Sequence, residues 1–195
     1  RTSGESWLLL LGDNGIGKSS ILQAITLCLT PRAELEKLDF DPDVYLRNGT
    51  SNGKIVIHSY ESDQPIVLTF DHNGFHSVLE EPPTFILGYG STRLLPKGKI
   101  QPDENRPPYL NIRNLFDYSI SLSDPNEWLA NVDPTEFNER VAPAFFDILA
   151  LREKDRLYVN NGKIYIRQFG EDHDLDENSD GYKTITALVS DIMQT

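Results

Sequence analysis

One stretch of eight residues constrains this chain more than any other: Gly12-Asp13-Asn14-Gly15-Ile16-Gly17-Lys18-Ser19. It meets the pattern G-x-x-x-x-G-K-[ST] at every fixed position, and each position has a physical job. Gly12, Gly15 and Gly17 let the backbone bend, so that consecutive N–H groups across Asn14, Ile16 and Ser20 point inward at phosphate oxygens. Lys18 supplies an ammonium for the β- and γ-phosphates, and the Ser19 hydroxyl is a ligand for magnesium. The helix that must follow adds its N-terminal dipole. Such a loop needs a strand before it and a helix after it. Trp7 to Leu11 is an apolar run of strand length, with Trp7 expected in the core. Lys18 to Leu29 carries Ile21, Leu22, Ile25 and Leu29 at helical spacing, and Pro31 ends it. The expected ligand is a nucleoside triphosphate, ATP with Mg2+.

Composition limits the rest. The 195 residues are 38% apolar and suffice for one domain carrying an inserted lobe. Eighteen basic against thirty acidic residues give a net charge of −12, so a stand-alone DNA-binding surface is not expected. A local basic stripe (Arg93, Lys97, Lys99) leaves nucleic-acid contact open. One cysteine, Cys28, rules out an internal disulfide framework and points to a reducing cytoplasm. No apolar run reaches membrane-spanning length. The chain opens on Arg rather than Met, which suggests a trimmed start.

Along the chain, four runs read as strands of an antiparallel lobe: Lys54 to Tyr60, Pro65 to Phe70, Phe75 to Leu79 and Thr84 to Tyr89. Asn73-Gly74 is a hairpin turn. Residues 96 to 108, rich in Pro and Lys, read as a surface loop. Asp124-Pro125-Asn126-Glu127 and Asp133-Pro134-Thr135-Glu136 each place a capping carboxylate before Pro and Glu, and both start helices. The second helix carries Phe137, Val141, Phe145, Ile148 and Leu149, with a kink at Pro143. Leu157 to Val159 and Ile164 to Ile166 flank Asn160-Asn161-Gly162 as another hairpin. An acidic loop, Glu171 to Asp180, leads to a last helix with Ile185, Leu188, Val189 and Ile192 on one face.

A triphosphate hydrolase also needs a carboxylate at the end of an apolar strand. Asp71 follows such a strand but enters a hairpin turn, which is its simpler explanation. Asp147 lies inside a capped helical pattern. His72 and His76 are expected to face solvent, and Cys28 to be inert on the inner side of the first helix.

The run Leu8 to Ile25 resembles the ABC-type ATPases of the SMC/RecF/OLD branch, and within it the bacterial AAA-family ATPases of anti-phage systems such as Septu. Gly88-Tyr89-Gly90-Ser91-Thr92-Arg93 is similar to their Tyr-Gly-x-x-Arg segment. Glu177-Asn178-Ser179-Asp180-Gly181-Tyr182, with the helix after it, is similar to their signature motif. The resemblance implies an α/β phosphate-loop NTPase core with an antiparallel β lobe and a helical insertion. In that scheme residues 1–30 hold the loop, 40–95 the β lobe, 110–152 the helical lobe and 175–195 the signature segment. It also implies a homodimer or larger homo-oligomer around ATP. There Ser179 and Gly181 of one subunit reach the γ-phosphate held by the other, and an effector such as a nuclease is controlled. Arg93, after a strand-like run and a Gly-rich bend, is placed to reach a phosphate or an acidic partner. Asn178 departs from the Leu usual before the signature Ser. The acidic strand and switch His of the family should follow the signature helix, so the chain is expected to be a fragment without the catalytic Glu.

Two other functional classes compete with an ATP-hydrolysing engine. A nucleotide-sensing module would assemble on ATP with little turnover. A kinase or GTPase would use Asp71 for magnesium, but the guanine motif Asn-Lys-x-Asp is absent from the sequence.

Overall fold

The computed structural model describes residues 7–59, 62–95, 109–160 and 163–194. Chain contacts divide it into two units. The first holds the described residues up to Gly88 together with Asn111–Phe116; the second holds the remainder.

In the first unit, α1 (Lys18–Leu29) and α2 (Arg32–Leu38) are followed by a 3₁₀ turn (Pro42–Tyr45). A three-stranded sheet then forms from β1 (Asn52–Ile57), β2 (Ile66–Asp71) and β3 (Gly74–Ser77), paired in that order and antiparallel throughout. Leu27 and Cys28 of α1 are buried, as are Leu68 and Phe70 of β2. The Cys28 thiol lies 3.6 Å from the Ile66 carbonyl, and burial raises its pKa. Pro31 both ends α1 and opens α2, where its carbonyl accepts from the N–H groups of Glu34 and Leu35. The sequence reading missed α2 because Pro is as good a helix start as it is a stop. Helix α3 (Leu110–Phe116) joins this unit chiefly through Asn111 to Phe116: the Gln23 amide donates to the Leu115 carbonyl at 3.1 Å, and Gly88 N–H to Asn111 O at 3.0 Å.

Three expectations fail here. Trp7 to Leu11 forms no strand, and Trp7 is 91% exposed rather than in the core. A strand exists only with a hydrogen-bonded neighbour, and every strand pair among the described residues is antiparallel and lies elsewhere. For the same reason Ile21, Leu22 and Ile25 are exposed, and the inner side of α1 is Thr26, Leu27 and Cys28. Thr84 to Tyr89 is irregular rather than a fourth strand. Pro82 and Pro83 remove two ladder donors just before it.

In the second unit, α4 (Pro125–Asn131) and α5 (Pro134–Glu136) begin at the two Asp-Pro signals. Asp124 accepts from Asn126 N–H at 2.9 Å, and Asp133 from Thr135 and Glu136 N–H at 2.8 and 3.3 Å. The Pro143 kink takes the form of a π-helical stretch (Phe137–Val141) leading into α6 (Ala142–Ile148). Proline cannot donate to the carbonyl four residues back, and a π-bulge absorbs the mismatch. Phe137, Val141, Phe145 and Leu149 pack with Leu157, Ile164, Ile166 and Leu175 into one core, while Ile148 stays exposed.

The sheet of this unit is β4 (Arg156–Asn160), β5 (Lys163–Gln168) and β6 (Glu171–Asp174), again antiparallel in sequence order. The turn at Asn161-Gly162 lies outside the described residues. Strand β6 corrects the expected acidic loop. Phe169 and Gly170 have φ of 55° and 89°, and allow a two-residue turn. The carboxylates of β6 are balanced across strands: Asp172 forms a bidentate pair with Arg167 at 2.7 Å, and Asp174 meets Lys163. A 3₁₀ turn (Leu175–Glu177) then leads to α7 (Asp180–Met193). Its buried residues are Thr186, Ala187, Ser190 and Asp191, not the anticipated Ile185 and Ile192, which are exposed. No helix is long and apolar enough to cross a membrane among the described residues.

Candidate functional site

The Gly12–Ser19 loop turns through two left-handed residues, Gly15 at φ 87° and Gly17 at φ 94°. A side chain at either position would be strained, although neither faces a neighbour within 4 Å. The motif therefore demands glycine at these two positions for backbone shape rather than for space.

Helix α1 starts directly from that shape. Its first bonded amide is Ile21, which donates to the Gly17 carbonyl at 3.0 Å. The N–H groups of Lys18, Ser19 and Ser20 precede it and have no partner within the helix. No side chain caps this end, and no carboxylate stands in the first turn. An uncapped, acid-free helix start with exposed serine hydroxyls can receive an anion, and its chemistry is compatible with a triphosphate tail. The Lys18 ammonium donates to the carbonyls of Gly12 and Asp13, at 2.7 Å each, so it spans the loop it belongs to. A phosphate would compete for that ammonium with two neutral carbonyls, and its anionic oxygens add the attraction between opposite charges. Asn14 and Ile16 are exposed at the loop's outer bend.

The segment around Ser179, which resembles a signature motif, is built differently. Ser179 caps α7 by accepting from Tyr182 N–H at 3.5 Å, and Asp180 stands in the first turn. Ser179, Asp180 and Gly181 are all exposed. This end already has a cap and a charge of its own, so an incoming anion would have to displace a long hydrogen bond beside a carboxylate.

Arg93 is exposed on a short bend whose two ends are fixed. At one end, Tyr89 Oη donates to Asp191 Oδ2 at 2.8 Å. At the other, Leu94 forms a parallel bridge with Ser121, and Leu122 N–H donates to Leu94 O at 2.9 Å. Ser123 Oγ donates to Asp191 Oδ1 at 2.5 Å. The motifs of the sequence assign no task to Tyr89 or Asp191. Lys97 and Lys99, the rest of the basic stripe, lie outside the described residues.

Asp71 is occupied by its hairpin. It accepts from Asn73 N–H at 2.7 Å and pairs with His76 at 3.3 Å, and the Asn73 bond, ahead of His76, lowers its pKa. Asp147 sits on α6. His72 pairs with Asp43 at 2.7 Å; both histidines are half exposed, and no cluster of three metal-ligating side chains occurs among the described residues. A cleft of about 650 Å³ runs between α2 and the β2–β3 hairpin. Glu36, Asp39 and Asp41 outnumber Arg32 in its wall, which is the wrong sign for a triphosphate.

Comparison with known proteins agrees with the loop. The chain is 36% identical over 200 residues to the Septu protein PtuA of Bacillus mycoides (strain KBAB4), an alignment covering 99% of this chain and 28% of that protein. No solved structure matches. The model of the AAA domain family matches residues 7–139, which include the whole phosphate-binding loop. With most of its length inside that match, the chain belongs to the AAA domain family.

Proposed function

We propose that this chain is the ATP-binding part of an anti-phage ATPase of the Septu type, with residues 1–195 forming the first portion of one ABC-type ATPase domain. The observation that carries the reading is the helix start after Gly17, which has neither a cap nor a carboxylate. Backbone amides from Asn14 to Ser20 and the Lys18 ammonium would hold the triphosphate. The Ser19 hydroxyl would hold Mg2+, which when bound would neutralise charge on the phosphates. Gly12, Gly15 and Gly17 give the loop its curvature. Ser179 and Gly181 of a second subunit, with Arg93 as a further cation, would close the site in a homodimer or larger homo-oligomer. ATP-driven closure would then control an effector such as a nuclease in the cytoplasm.

A sensing module with little turnover is the second reading. In it, ATP occupancy rather than hydrolysis would hold an oligomer together. The two readings are separated by measuring Mg·ATP binding, turnover and assembly of the full-length protein beside its Lys18→Ala form. Binding and turnover that both vanish with Lys18 favour the engine. ATP-dependent assembly without turnover favours the sensor. A wild-type protein indifferent to Mg·ATP would refute both.

A further inference from the structure

We infer that Asp191 is a positioning residue, which fixes the bend carrying Arg93 to the helix that begins at the signature Ser179, so that the two present their groups as one rigid piece. The inference rests on the proposed composite ATP site.

Asp191 is 2% exposed and lies about three turns down α7 from Asp180, a separation of eleven residues or ~16 Å along the axis. Its two oxygens are used separately: Oδ2 accepts from Tyr89 and Oδ1 from Ser123. Tyr89 begins the bend. The stretch Ser121–Ser123, joined by its backbone to Leu94, closes the bend from the other side. One carboxylate thus ties together three segments, and Gly90 to Arg93 spans between the ends it fixes. Arg93 stands exposed at the close of that span.

A buried carboxylate is a costly way to hold three segments together. Apolar side chains of similar size would hold them with less desolvation. What apolar packing lacks is direction. Two hydroxyl donors on opposite oxygens fix the rotation of α7 about its own axis against the bend. A rotation of α7 swings the Ser179–Gly181 end, and the same bonds would drag the Arg93 bend with it.

The test uses full-length protein with Mg·ATP, and reads affinity, turnover, ATP-dependent assembly and thermal unfolding together. Asp191→Asn keeps the shape but removes the charge, and Tyr89→Phe removes a single oxygen. The expected result is Mg·ATP affinity within about twofold of wild type. Turnover or assembly falls at least tenfold for Asp191→Asn and at least threefold for Tyr89→Phe. The distinguishing measurement is Tyr89→Phe in an Arg93→Ala background, where no further loss beyond about twofold is expected because the bend then presents no cation. Losses that simply multiply, or variants with wild-type turnover and assembly, overturn the inference. Should Asp191→Asn not fold, the Tyr89→Phe comparison decides alone. A wild-type protein that neither assembles on ATP nor hydrolyses it ends the composite-site reading, and this inference with it. Wild-type activity lost on Lys18→Ala but not on Tyr89→Phe ends only the inference.

Discussion

Replacing Gly17 by Ala isolates the backbone contribution to the phosphate site. Gly17 has φ 94° and ψ 17° and is the residue from which α1 starts. A Cβ there meets nothing within 4 Å, so crowding adds no cost. What remains is the left-handed penalty for an L-residue, about 1–2 kcal/mol. That strain has two outlets. If the loop keeps its shape, the first unit loses ~1–2 kcal/mol of folding stability and Mg·ATP affinity is nearly unchanged. If the loop relaxes to negative φ, stability is kept, but the competent shape becomes a minor state and apparent affinity falls about 5–30-fold. The two losses should therefore sum to ~1–2 kcal/mol. Denaturant unfolding and calorimetric titration with Mg·ATP on the same full-length samples measure both. Gly15→Ala, at φ 87° and equally uncrowded, should behave alike. A Gly17→Ala protein with unchanged stability and unchanged affinity would refute the idea that loop curvature depends on glycine.

Phe145 is fully buried in the second unit's core, so Phe145→Ala should cost about 3–5 kcal/mol in chemical denaturation. Asp133 caps α5, and the bond from Thr135 N–H, followed by that from Glu136, lowers its pKa. A depressed folded pKa contributes stability above the ordinary Asp value of about 3.9, and this is lost as pH falls through the lower folded value. Asp133→Ala should therefore lower the melting temperature at pH 7, and by less at pH 2.5, as followed by circular dichroism. Asp180 stands in the first turn of the proposed anion-facing helix, so Asp180→Asn should tighten ATP-dependent assembly by about 1 kcal/mol, roughly fivefold, at low salt. Assembly weakened by that change, in sedimentation runs with Mg·ATP, would count against the signature helix facing phosphate.

Features whose cause lies within a few residues could be read from the sequence. The glycines of the phosphate loop, the Asp-Pro helix starts and the hairpin at Asn73 each follow from one backbone angle or one capping bond. Pairing across the chain could not be read in the same way. Trp7 to Leu11 and Thr84 to Tyr89 have strand composition and no strand neighbour, while the acidic β6 has the wrong composition and two well-placed cations on β5. The helices show the same division. Spacing located α1 and α7 correctly but only part of each expected face is covered: Leu29, Leu188 and Val189 are half-buried while Ile21, Leu22, Ile25, Ile185 and Ile192 are exposed, because an apolar stripe says that a helix can bury a side and not which side has a partner. In both helices the inner face is largely small and polar. Thr26 and Cys28 line it in α1, and Thr186, Ala187 and Ser190 in α7. Small side chains let a neighbouring segment approach closely, and close approach is what admits hydrogen bonds between elements. Asp191 belongs to that face. A carboxylate in the small-residue stripe of an amphipathic helix, rather than on its charged side, is the signal that would have singled it out from sequence, since there it must be hydrogen-bonded or it would not be tolerated.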